Sequence, residues 1–71
     1  MKLMRLHVHY PDGIVSYGIG DSTIGLGEAS PIKLITSCKA SDGKDYFILE
    51  LENGEQIWIT GAICDLYHSA D

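Results

Sequence analysis

Cysteine, proline and positive charge are all scarce in this chain. Two cysteines, two prolines and five Lys or Arg side chains occur among 71 residues. A disulfide framework needs more than Cys38 and Cys64, so these two read as free, buried thiols. Five bases against ten acids leave a net charge of −5, and the deficit is uneven. Residues 40–71 carry one base, Lys44, and seven acids, whereas residues 1–39 are nearly balanced. Phosphate binding requires clustered Lys or Arg, so DNA is excluded as a first expectation. No apolar run approaches the roughly 18–20 residues of a membrane span. Met1-Lys2-Leu3-Met4-Arg5 runs into His7 and His9 without an apolar signal core, so a cytoplasmic protein with no membrane partner is expected.

What is present suits folding. Hydrophobic residues make up 45% and charged residues 21%, a globular balance. At this length there is room for a single domain, 1–71, and one core.

Alternation organises the chain. From Lys2 to Tyr10, Met4, Leu6, Val8 and Tyr10 share one face and Arg5, His7 and His9 the other, as in a half-buried strand. Pro11-Asp12-Gly13 supplies a turn, and residues 14–17 read as a returning strand. Four glycines within residues 18–31 predict a long loop. Between Ile32 and Thr60, Asp42-Gly43 and Asn53-Gly54 separate three strand-like runs.

Loop length decides which residues face inward. A two-residue loop at Asp42-Gly43 pairs Cys38 with Phe47, Thr36 with Leu49 and Leu34 with Leu51. A three-residue loop, Glu52-Asn53-Gly54, pairs Leu49 with Ile57 and Phe47 with Ile59, because one added residue turns the whole strand over. Phe47, Leu49, Leu51, Ile57, Ile59, Leu34 and Cys38 then lie inside, and Trp58, Tyr46, Ile48 and Ile35 lie outside. Beyond Thr60, the three-residue spacing of Ile63 and Leu66 predicts one helical turn.

The succession of strand, glycine-rich loop, three tightly turned strands, helical turn and terminal strand resembles a small SH3-like, or Tudor-like, barrel. Asp42-Gly43, Asn53-Gly54, Gln56-Ile57-Trp58-Ile59, Ile63 and Leu66 carry the resemblance, over roughly residues 32–71. It implies an all-β, five-stranded barrel with one short helical turn near the C-terminus. It also implies a recognition module, although architecture alone does not establish function.

The outward group Trp58, Tyr46, Ile48 and Ile35, rimmed by Glu50, Glu52 and Glu55, is the candidate partner-binding site. Large aromatics on the solvent side of a sheet mark binding hot spots. The competing expectation is that residues 18–31 or the first strand cover this face. The aromatic centre and acidic rim suit a protein with a basic surface. The sharper form is an inhibitor that occupies the nucleic-acid-binding site of its target, in the manner of small phage or mobile-element proteins. Self-pairing into a structural homodimer and RNA binding through exposed aromatics are the alternatives. The Tudor-like resemblance adds a cage for a methylated cation walled by Trp58 and Tyr46.

Other constellations are weaker. His7 and His9 share a face, and Cys64 or His68 would have to join them to hold zinc; surface histidines are the commoner outcome, and no metal or cofactor is expected. Residues 18–27 lack the lysine and following helix of a phosphate-binding loop. Cys64, Asp65 and His68 are close in sequence, but Asp65 would raise the thiol pKa rather than lower it. No enzymatic activity is expected.

Overall fold

The computed structural model describes residues 2–24 and 29–70. Among the described residues there are seven strands: β1 Leu3–Tyr10, β2 Gly13–Gly18, β3 Ser22–Ile24, β4 Ala29–Lys39, β5 Asp45–Leu51, β6 Gln56–Ile59 and β7 Ile63–His68. They form two sheets, β2-β1-β7 and β3-β4-β5-β6. The protein is therefore all-β, with no helix among the described residues and none long and apolar enough to cross a membrane.

One core joins the sheets. Leu3, Leu6 and Val8 of β1 meet Ile32 and Ile35 of β4, Phe47, Leu49 and Leu51 of β5, and Ile59 of β6. The first hairpin follows from its sequence, with Pro11-Asp12 as a two-residue loop and Tyr10 opposite Gly13. Leu6 and Val8 point inward as the alternation requires, but Met4 and Tyr10 are exposed and Leu3 is buried in their place. For Leu3 and Met4 the cause is an irregularity in the pairing of β1 with β7 between Leu3 and Arg5, which inverts the facing at the strand's start, whereas Tyr10 keeps the face of Val8 and is exposed because it ends the strand.

The corner after β2 is tied by polar groups. The Asp21 carboxylate accepts from the Gly18 N–H at 3.0 Å and from Arg5 Nη1 at 3.0 Å, and the same Nη1 donates to Ser16 Oγ at 2.7 Å. The chain then crosses to the second sheet, where Gly20 donates to Ile32 O and Ile32 to Asp21 O. The long loop expected over residues 18–31 thus contains β3, paired through Ser22 and Pro31, and the start of β4. Its residues 25–28 lie outside the described residues.

The register of β4 on β5 differs from expectation by one residue. Ile35 pairs with Leu49, Thr36 with Ile48, Ser37 with Phe47 and Cys38 with Tyr46. Ala40 and Lys44 close the turn around three residues, Ser41-Asp42-Gly43, and Gly43 adopts φ +84°. A type I turn followed by a left-handed glycine produces this extra residue. A second shift between Ile32 and Leu34 then keeps both Ile32 and Ile35 buried despite their odd spacing. Leu34 is consequently exposed and Cys38 only half-buried, contrary to their expected inward facing. The β5–β6 hairpin follows expectation, with Leu49 opposite Ile57 and Phe47 opposite Ile59.

The expected helical turn over residues 61–67 is replaced by β7, and the five expected strands by seven. Residues 63–68 pair along β1 from His9↔Ile63 to Leu3↔His68. That pairing satisfies β1's backbone groups, which a helical turn would leave unmet. In a strand the three-residue spacing puts Ile63 and Leu66 on opposite faces.

Candidate docking face

The outer surface of β4, β5 and β6 is built from cross-strand rows. Cys38 lies opposite Tyr46; Thr36, Ile48 and Trp58 form the next row; Leu34, Glu50 and Gln56 form the third. Inward Phe47 and Leu49 flank outward Ile48, so period-two alternation alone sets the facing. Trp58 is 57% exposed. No described part of the first strand or of residues 18–31 covers it.

Its orientation is nevertheless fixed. The Trp58 and Tyr46 rings stack with centroids 5.5 Å apart and planes 18° from parallel. Trp58 Nε1 donates to Gln56 Oε1 at 3.2 Å. An offset-stacked aromatic pair is worth about 0.5–1.5 kcal/mol beyond its area, and it presents one broad apolar plate. Stacked this closely, the rings leave no gap for a cation between them. The Tyr46 phenol is held above its ordinary pKa, first by the charge of neighbouring Cys38 and then by hydrogen bonding to that thiol and by burial.

The expected site residues separate. Trp58, Tyr46 and Ile48 lie together on this face, the last two half-buried. Ile35 does not join them: it is 4% exposed and part of the core, because the three-residue Ser41-Asp42-Gly43 loop inverts β4 relative to expectation. Leu34, 39% exposed, takes its place. The signal for Leu34 was available in Asp42-Gly43, which is as compatible with a three-residue as with a two-residue loop.

The acids border one end of the face rather than ring it. Glu50 sits between Leu34 and Gln56, with Lys33 Nζ 3.9 Å from its Oε2. Glu52 and Glu55 belong to the hairpin beyond, where Asn53 Oδ1 accepts from the Glu55 N–H at 2.9 Å. Next to the opposite end, Lys39 pairs with Asp45 at 3.2 Å. Both of these ion pairs are exposed and contribute little to stability.

The remaining constellations disperse. His7 and His9 share the outer face of β1, where His7 packs against Tyr67 with ring centroids 4.6 Å apart and His9 Nε2 lies 2.9 Å from Asp65 Oδ2. Cys64 pairs with Val8 on the inward side and packs against the core, so it cannot meet the histidines. Among the described residues no group of three or more His, Cys, Asp or Glu side chains is placed to hold a metal ion. Strand geometry also sends Asp65 to the face opposite Cys64 and His68. Burial and then Asp65 push the Cys64 thiol above its ordinary pKa, the reverse of what a nucleophile requires.

Compared with protein-family models, with curated proteins and with solved structures, the chain finds no match in any of the three.

Proposed function

We propose that this chain is a non-enzymatic protein-binding module of the cytoplasm that docks through the Trp58–Tyr46–Ile48–Leu34 face onto a protein with a basic surface. The observation that carries this reading is an indole 57% exposed yet held in place by a stacked ring and a hydrogen bond. A large aromatic already fixed in one orientation loses little freedom on binding, and Trp and Tyr dominate binding hot spots. The net charge of −5, with Glu50, Glu52 and Glu55 at one end of the face, favours a positively charged target and speeds encounter with it. A target whose basic surface normally binds nucleic acid fits the same charge logic, and the module would then act as an inhibitor of phage or mobile-element type. The SH3-like resemblance supports this reading only through the shared rhythm of tight hairpins.

The test is affinity capture from source lysate with wild type and Trp58→Ala side by side, at low and at raised salt. The reading expects a small set of basic proteins that wild type retains, that Trp58→Ala loses and that salt weakens. Equal recovery by both baits contradicts it.

A further inference from the structure

A second surface lies on the other sheet and does not involve Trp58. β7 is the edge strand of β2-β1-β7, with no strand bonded to its outer side among the described residues. Exposed edges present unpaired N–H and C=O groups, and folded proteins blunt them with short strands, Lys, Pro or covering groups. Here β3 and β6 are only three and four residues long, and Arg5 reaches over β2 to Ser16 and Asp21. β7 has none of these protections. Its six residues, Ile63-Cys64-Asp65-Leu66-Tyr67-His68, contain no Lys, Arg or Pro. Ile63 is 77% exposed, Leu66 41% and Tyr67 47%. Beside the strand runs a cleft of about 510 Å³, lined by Phe47, Ala62, Cys64 and Leu66 and also by the charged residues Lys44 and Asp45 at the start of β5.

Charge selects the occupant. Over most of its surface a chain of net charge −5 repels its own copy, but β7 carries only one acid and no Lys or Arg. Its single acid, Asp65, is held against His9 of the neighbouring strand. A two-fold axis perpendicular to the sheet keeps inward residues inward, so only same-facing residues can oppose one another. Centred on Asp65, the pairing would oppose two carboxylates, which is unfavourable. Centred on Leu66, it sets Leu66 against Leu66, Cys64 against His68 and Asp65 against Tyr67, with no like charges opposed.

We propose that β7 pairs antiparallel with β7 of a second copy about Leu66, joining two three-stranded sheets into one of six strands. A strand of this length spans about 20 Å and buries less than the roughly 800 Å² per partner of a standard interface. The dimer is therefore weak and forms at high concentration.

Sedimentation equilibrium of the whole chain from about 10 μM to about 1 mM tests this, at low and high salt. The expected result is a reversible monomer–dimer equilibrium, tightened several-fold by salt because screening removes the repulsion between copies. Leu66→Asp, which sets like charges against each other at the axis, abolishes it, and Trp58→Ala leaves it unchanged. Because Leu66→Asp could also perturb folding, the second arm uses Leu66→Cys in a background in which Cys38 and Cys64 are serine. Mild oxidation then joins the copies by a disulfide through residue 66, which faces itself across the axis, far more than through Cys placed at Asp65, whose copies lie diagonally and beyond disulfide reach. A monomer at every concentration overturns the proposal, as does a dimer that Trp58→Ala abolishes, one that salt weakens, or linkage that favours position 65.

Discussion

Asp42 and Asn53 perform the same task in two successive hairpins. Asp42 Oδ1 accepts from the Lys44 N–H at 2.9 Å, and Asn53 Oδ1 accepts from the Glu55 N–H at 2.9 Å. Each is followed by a glycine at positive φ, +84° at Gly43 and +91° at Gly54. Gly43 and Gly54 in turn donate to Ala40 O and Leu51 O. The repeated turn fixes both registers and thereby decides which side chains of β4, β5 and β6 meet solvent.

Replacing either glycine by alanine keeps the turn's hydrogen bonds but forces a Cβ into the left-handed region. Each change is expected to cost about 1–2 kcal/mol, and asparagine at the same position less, because it tolerates that region better. Thermal melts of Gly43→Ala, Gly43→Asn and their Gly54 counterparts check this. Alanine variants that melt with wild type would contradict the turn assignment.

Much of the fold is legible in the residues. The alternation of β1 from Arg5 onward, the turn at Pro11-Asp12-Gly13 and the Glu52-Asn53-Gly54 loop all follow from local chemistry, and with them the outward facing of Trp58. The register of β4 does not, because a two-residue loop at Asp42-Gly43 also yields plausible apolar pairs, Leu34 with Leu51 among them. The shift at Lys33, which buries both Ile32 and Ile35, depends on how β4 bends across the core, a tertiary matter that spacing alone does not encode. The helical reading of residues 61–67 fails for a similar reason. Local spacing suits a turn, whereas β1's unpaired edge, distant in sequence, captures the segment as β7.

The corrected register separates two neighbouring residues sharply. Ile35→Ala empties a fully packed position and is expected to cost about 2–5 kcal/mol, much of the stability of a domain this small. Leu34→Ala removes a side chain on the open face and should cost well under that, about 1 kcal/mol or less. Urea unfolding of the two variants decides the matter. Equal losses, or a larger loss for Leu34→Ala, would restore the other register.

Alkaline pH should weaken the fold. The Cys64 thiol is raised by burial and by Asp65, the Tyr10 phenol by burial and its hydrogen bond with Tyr17, and the Tyr46 phenol by Cys38. A proton held more tightly in the folded chain stabilises it below the unfolded pKa, and that contribution is lost as pH rises through the folded value. The ordinary values are 9.0 for the thiol and 10.0 for the phenols. The urea midpoint should therefore start to decline above about pH 9 and decline further above about pH 10. A midpoint that is constant or rising across that range would contradict these environments.

Trp58→Ala itself should be a mild change to the fold. It removes the stack on Tyr46 and little buried area, so a loss of about 1 kcal/mol is expected, or about 4–8 °C in melting temperature. A collapse of the structure would mean that the indole supports the core instead of facing a partner.

Trp58 is the chain's single tryptophan, so its fluorescence reports directly on the proposed docking face. Titrating wild type with a basic protein recovered by affinity capture, while following emission and acrylamide quenching, measures whether the indole leaves water as the complex forms. A blue shift with loss of quenching is the expected result. A complex that forms while the indole's emission and accessibility stay unchanged would contradict docking through this face.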